Sequence, residues 1–177
     1  MDGKMLEHVD FFRGIAPNAL NVIAGAGSKR EYFPDTVIFS EGEAPDSLFG
    51  LLEGVVELSI LFTERLFKTD ELRYEEAIRS GFEENEIQIV VDEINPGEIF
   101  GWSALAGIEK RTATARSTGP VQAFEIPALE LRRLFGEDPI LGFTLMERLN
   151  KVIASRLDER TQRLVESWTE AFGTSKI

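Results

Sequence analysis

Asn95-Pro96-Gly97-Glu98-Ile99-Phe100-Gly101-Trp102-Ser103-Ala104-Leu105, followed by Lys110-Arg111-Thr112-Ala113-Thr114-Ala115, is the stretch on which the reading of this chain turns. The pattern describes a strand leaving through a Gly-containing turn into a short helical segment, and then a strand that begins with Arg-Thr. Gly101 lets the backbone approach a ligand closely. Amides at the start of a short helical segment favour a negative charge. Arg111, at the rim of the next strand, offers two parallel hydrogen bonds to a phosphate, and Thr112 adds a hydroxyl. Gly101, Trp102, Ser103, Ala104, Arg111 and Thr112 are therefore the candidate ligand-binding residues, an anion cradle.

Outward from this stretch the texture is β. Tyr32-Phe33, Val37 to Phe39, Ser47 to Leu52, Val55 to Phe62, Glu86 to Ile94, Thr112 to Arg116 and Val121 to Ile126 are short apolar runs broken by Gly and Pro turns. Without helices between them, such runs predict a mainly β protein: an antiparallel β-roll or jelly-roll barrel. The first thirty residues predict an N-terminal helix beginning near Pro17, where a missing N–H costs nothing. Pro127 opens a further helix to Phe135, and Asp138-Pro139 restarts the chain into a long helix over about 140–172. Its apolar positions, Leu141, Leu145, Leu149, Val152, Ile153, Leu157, Leu164 and Trp168, recur every three or four residues. That stripe can pack on the barrel alone or pair with a second copy; Arg156 and Arg160 interrupt it and speak against a strict zipper. The domain division follows: a β-roll over 1–136 and a hinge and dimer helix over 137–177.

One segment departs from the β rhythm. Residues 63–86 carry eight acids and four bases, and Phe67, Tyr74, Ile78 and Phe82 fall on one helical face. The expectation is a helical insertion between two strands, either a solvated acidic lid or a surface for docking and gating.

Composition closes several function classes. The 177 residues include 19 Lys+Arg, 31 Asp+Glu, one His and no Cys, for a net charge of −12. Without Cys there is no disulfide framework, thiol nucleophile or thiolate metal site. One His removes His-pair metal centres and most triad chemistry, so neither an enzyme nor a metal site is expected. An acidic total disfavours nucleic acid, because duplex binding needs a basic surface. No apolar run approaches the ~20 residues of a membrane helix, and none marks a signal peptide. A cytoplasmic protein without membrane contact is expected.

Several motifs in order resemble the cyclic nucleotide-binding domain family, whose members include catabolite-activator-type regulators, kinase regulatory subunits and gated channels. Phe11-Phe12-Arg13-Gly14-Ile15 resembles its entry helix and turn. Ile38 through Phe49 resembles its first strand pair, and Leu52-Glu53-Gly54-Val55-Val56 the Gly turn that follows. Phe100 through Ala115 resembles its phosphate-binding cassette, and the long last helix its hinge and dimer helix. The resemblance implies that Arg111 binds a ligand phosphate with help from Thr112. It also marks a departure. Where members that bind cyclic nucleotides carry Gly-Glu, the Glu holding the ribose 2′-hydroxyl, this chain has Gly101-Trp102, and Glu98 matches an earlier turn-forming glutamate. The phosphate half of the site is present and the ribose half is missing.

The expected function is a non-enzymatic sensing module for a small anionic ligand that signals through its C-terminal helix. Candidate ligands are cAMP, cGMP or another phosphate-bearing molecule; candidate partners are a second copy through that helix and an unknown protein. The alternative is an interaction module with the same fold and a closed pocket. Two residues stay open on sequence alone: Trp102 fills a core or stacks on a ligand, and Arg111 is a structural ion-pair partner or an anion anchor. The chain printed here carries no helix-turn-helix after the long helix, so a DNA-binding domain is not expected.

Overall fold

The structure, a computed structural model, describes residues 3–69 and 80–173, with side chains over those ranges apart from 65–69 and 80–83. Two 3-10 helices, Gly3–His8 and Asp10–Phe12, lead into α1 (Pro17–Ala26). The strands are β1 (Ser28–Tyr32), β2 (Val37–Phe39), β3 (Ser47–Glu53), β4 (Val56–Thr69), β5 (Ser80–Ile94), β6 (Ile99–Phe100), β7 (Thr114–Ser117) and β8 (Val121–Pro127). They form two antiparallel four-stranded sheets, ordered β1-β8-β3-β6 and β2-β7-β4-β5. This is the mainly β roll that the run of short strands implies. The helices α2 (Ala128–Glu137) and α3 (Pro139–Phe172) complete it.

β3, inside the first sheet, is buried on both faces from Ser47 to Leu51, which explains why it reads Ser-Leu-Phe-Gly-Leu-Leu without polar alternation. One face, with Leu48, Phe124 and Ile126, packs on Leu6, Phe12, Leu20, Ile23, Leu131, Leu145 and Leu149 from the helices. The other face, with Phe49, Leu51 and Ala123, meets Phe39, Val56, Leu58, Ile94 and Ala115 inside the roll. Each such aliphatic or aromatic side chain contributes about 1.5–3 kcal/mol on burial. The cassette therefore lies between two cores, a helix-side one and a roll-side one.

Asp138 caps α3: its Oδ1 accepts the Leu141 N–H at 3.0 Å, and Pro139 takes the first helical position. Leu141, Gly142, Leu145 and Leu149 are buried, Val152 and Ile153 half-buried, and the helix is exposed from Leu157 onward except at Glu159. At 34 residues it is about 50 Å long, so its far half extends past the helix-side core.

The expected helix over 63–86 is not what the ends of that segment adopt. β4 runs to Thr69 and β5 starts at Ser80, with Thr63 opposite Glu86 and Phe67 opposite Phe82. Tyr74 and Ile78, the middle of the expected helical face, lie outside the described residues. The physical reason is propagation. Ile60, Leu61 and Phe62 oppose Ile89, Gln88 and Ile87, and these β-prone side chains carry the ladder past the roll into the charged segment.

Candidate ligand site

β6 places the cassette. Phe100 pairs with Phe49 and Ile99 with Gly50, at the edge of the first sheet. The chain then turns through Gly101, whose φ of +71° lies in the left-handed region, into the 3-10 turn Trp102–Ala104. A Cβ on Gly101 would lie 2.7 Å from Arg111 Nη1 and 3.0 Å from Phe49 Cδ2, so glycine is required here twice over.

Arg111 enters from the segment before β7 and is 2% exposed. Its backbone is held by the Glu41-Gly42-Glu43 turn: the Arg111 N–H donates to Glu43 O at 2.8 Å and the Gly42 N–H donates to Arg111 O at 2.9 Å. Its guanidinium donates from Nη1 to Gly101 O at 3.2 Å, and from Nη2 to Ser47 O at 3.0 Å and Asp46 Oδ1 at 3.1 Å. The Phe39 ring covers one face, its centroid 3.9 Å from Cζ. Burial lowers the guanidinium pKa from its ordinary value; Asp46 foremost, with Glu43 and Glu125, opposes that shift. Arginine nevertheless stays charged. Among the described residues these bonds engage three of the five guanidinium N–H donors, leaving Nε–H and one Nη1 proton for an acceptor.

The roll interior beside Arg111 is aromatic. Phe49 and Phe100 stack with centroids 4.9 Å apart, and Phe39 lies 5.8 and 6.1 Å from them. Trp102 takes a different position. It is half-buried against the helix-side core, whereas Arg111 lies over Phe39 of the roll-side core. Ser103 and Ala104 are buried, and Ala104 O accepts from Arg132 of α2 at 2.9 Å. Thr112 is exposed. The structure thus brings Gly101 and Arg111 into contact and turns Trp102 toward the helices.

Asp46, Ser47 and Phe39, which fix the guanidinium, carry no site signal in the sequence; the Asp46 pair spans 65 residues. A second group is equally unannounced. Glu98, two residues before Phe100, accepts from Arg156 Nη2 of α3 at 2.8 Å, and Asp92 of β5 accepts from Arg156 Nη1 at 3.0 Å. Arg160 Nη2 stands 3.9 Å from Asp92, and Arg163 donates to Val91 O at 3.1 Å. Among the described residues no group of three or more His, Asp or Glu is placed to hold a metal ion, and no helix is long and apolar enough to cross a membrane.

The site is thus a buried arginine beneath a Gly-turn cassette, in a two-sheet roll followed by a long helix. Residues 77–138 match the family model of the cyclic nucleotide-binding domain. A solved Geobacter metallireducens protein assigned as cyclic nucleotide-binding is 27% identical, with 89% of this chain and 98% of that one covered and a TM-score of 0.67. The catabolite activator protein of Thermus thermophilus is 23% identical (92% and 65% covered, TM-score 0.60). The regulatory domain of Toxoplasma gondii PKA, crystallised with cAMP, is 19% identical (88% and 49% covered, TM-score 0.63). These last two share the fold. No curated protein matches the chain.

Proposed function

We propose that this chain is a non-enzymatic regulatory module that reads a small phosphate-bearing anion through Arg111 and reports occupancy through α3. The observation that carries the reading is the Arg111 guanidinium, buried under Gly101 with two N–H donors to spare. A preorganised cation in a low-dielectric setting favours an anion that can reach it. Cyclic nucleotides are weak ligands on this account, held by the phosphate alone. Trp102 supplies no acceptor for a ribose, and hydrogen bonds to a charged group contribute about 1.5–3 kcal/mol each. One or two such bonds amount to a range from about tenfold to about twenty-thousand-fold in affinity.

The path to α3 runs through Glu98. A ligand that moves β6 and the cassette moves Glu98 with them, and Arg156 ties Glu98 and Asp92 to α3. Population shift then requires the ligand to favour one position of α3 over another. Beyond Ile153, α3 presents Leu157, Leu164, Val165 and Trp168, each more than half exposed, and a second copy of α3 is the partner that this stripe fits.

The stacked Phe39, Phe49 and Phe100 favour a second reading, in which the roll interior is already full and the module acts without a ligand. Thermal unfolding across a panel of cAMP, cGMP, nucleotide monophosphates and inorganic phosphate separates the two. The first reading expects at least one anion to raise Tm in the wild type and not in Arg111→Lys, which keeps the charge but loses the fork. No rise with any anion at millimolar concentration removes the first reading and leaves the second.

A further inference from the structure

We infer that Asp46 is a built-in competitor for the ligand: its carboxylate holds a part of Arg111 that a phosphate must take, and a bound anion displaces it. This rests on Arg111 as the anion anchor of the function proposed above. A guanidinium grips an anion as a fork, with two N–H groups on one edge. Nη2, the nitrogen trans to Cδ, belongs to both such edges, paired with Nε on one and with Nη1 on the other. Both Nη2 protons are already taken, by Ser47 O at 3.0 Å and by Asp46 Oδ1 at 3.1 Å. The spare donors, on Nε and Nη1, lie on different edges and make no fork between them. Two-pronged binding therefore requires the release of one Nη2 bond.

Burial selects which bond that is. Ser47 O is a main-chain carbonyl in a buried residue of β3, so losing its donor leaves a buried acceptor unsatisfied. The Asp46 side chain is 81% exposed, against 1% for that of Arg111, and its carboxylate turns into water with its solvation intact. Among the described residues that carboxylate makes no second hydrogen bond. The backbone of Asp46 need not follow, because its carbonyl accepts the Ala128 N–H at the start of α2 at 2.7 Å. The Phe39 ring covers one face of the guanidinium, so the exchange takes place at its edge. A terminal phosphate, with a charge of about −1.5 to −2 and three acceptor oxygens, is the class of anion suited to that exchange. A free carboxylate offers only what Asp46 already supplies.

The test titrates inorganic phosphate into the full chain by calorimetry at constant ionic strength, with acetate as the control anion. Phosphate is expected to bind Asp46→Asn about fivefold or more tighter than the wild type, and acetate to bind the wild type more weakly than phosphate does. Glu43→Gln removes a different carboxylate that acts on Arg111 through space and accepts the Ser40 N–H at 3.0 Å. That variant should leave phosphate affinity within about twofold of the wild type. Asp46→Asn combined with Arg111→Lys should lose the gain, which ties it to the fork. Asp46→Ala takes the place of Asp46→Asn if the latter does not fold. Equal gains in Asp46→Asn and Glu43→Gln would reduce the effect to net charge and overturn displacement, as would acetate binding the wild type as tightly as phosphate. Arg111-dependent phosphate binding that Asp46→Asn leaves unchanged or weakens would overturn this role of Asp46 while the ligand reading stands. Absence of phosphate binding in the wild type and both Asp46 variants also overturns it, and the anion panel above then decides the ligand reading separately.

Discussion

At Gly101 the left-handed backbone and the 2.7 Å approach of Arg111 Nη1 act together. Gly101→Ala therefore meets both backbone strain and a blocked guanidinium. We expect a loss of about 3 kcal/mol or more in urea unfolding, against about 1–2 kcal/mol for alanine at Gly107, where a Cβ meets open space at a similar φ. The difference between the two variants isolates the contact from the strain. Arg111→Ala leaves the carbonyls of Gly101 and Ser47 without their donor and removes the ring contact on Phe39; about 3 kcal/mol is expected. For a domain of this size that lowers Tm by roughly 6–12 °C. Gly101 and Arg111 are legible in the sequence because a turn glycine and a strand-rim arginine sit ten residues apart in a familiar pattern. Asp46, Ser47 and Phe39 are not, because only the folded roll brings them to the guanidinium. On sequence alone the indole of Trp102 is open between pocket and core, and the structure packs it on the helix-side core.

Among the elements, α3 is the one whose sequence pattern is right in extent and incomplete in meaning. The three-and-four spacing marks its apolar stripe, yet Arg156 and Arg160 look like interruptions. In the fold they fasten the helix to β5, with Arg156 13% and Asp92 4% exposed. Removing one partner of a buried pair costs more than the pair contributes, since the other charge is left desolvated. Arg156→Ala is accordingly expected to destabilise by about 3 kcal/mol. Arg156→Ala combined with Asp92→Asn should cost less than the sum of the single changes, a coupling that a double-mutant cycle reads directly. Additive effects would mean that the two side chains do not act as a pair. The segment 63–86 went the other way. Its apolar spacing points to a helix, but at both ends the neighbouring strands extend into it through cross-strand pairs that no local periodicity reveals.

Across the whole molecule, an acidic total of −12 surrounds one inward-facing arginine and a helix that outruns its own domain. The exposed Leu157, Leu164, Val165 and Trp168 make self-association through α3 the expected solution state. Light scattering should give a dimer mass for the wild type and a monomer mass for Leu164→Glu with Trp168→Glu, at unchanged helix content. A monomeric wild type at tens of micromolar protein would contradict that assignment. The central claim concerns the ligand, and calorimetric titration of cAMP into the wild type, Trp102→Glu and Arg111→Lys tests it most directly. The account predicts weak binding by the wild type, binding at least about tenfold tighter by Trp102→Glu as the ribose contact is restored, and none by Arg111→Lys. Tight wild-type binding that survives Arg111→Lys, or no binding by any of the three, would contradict it.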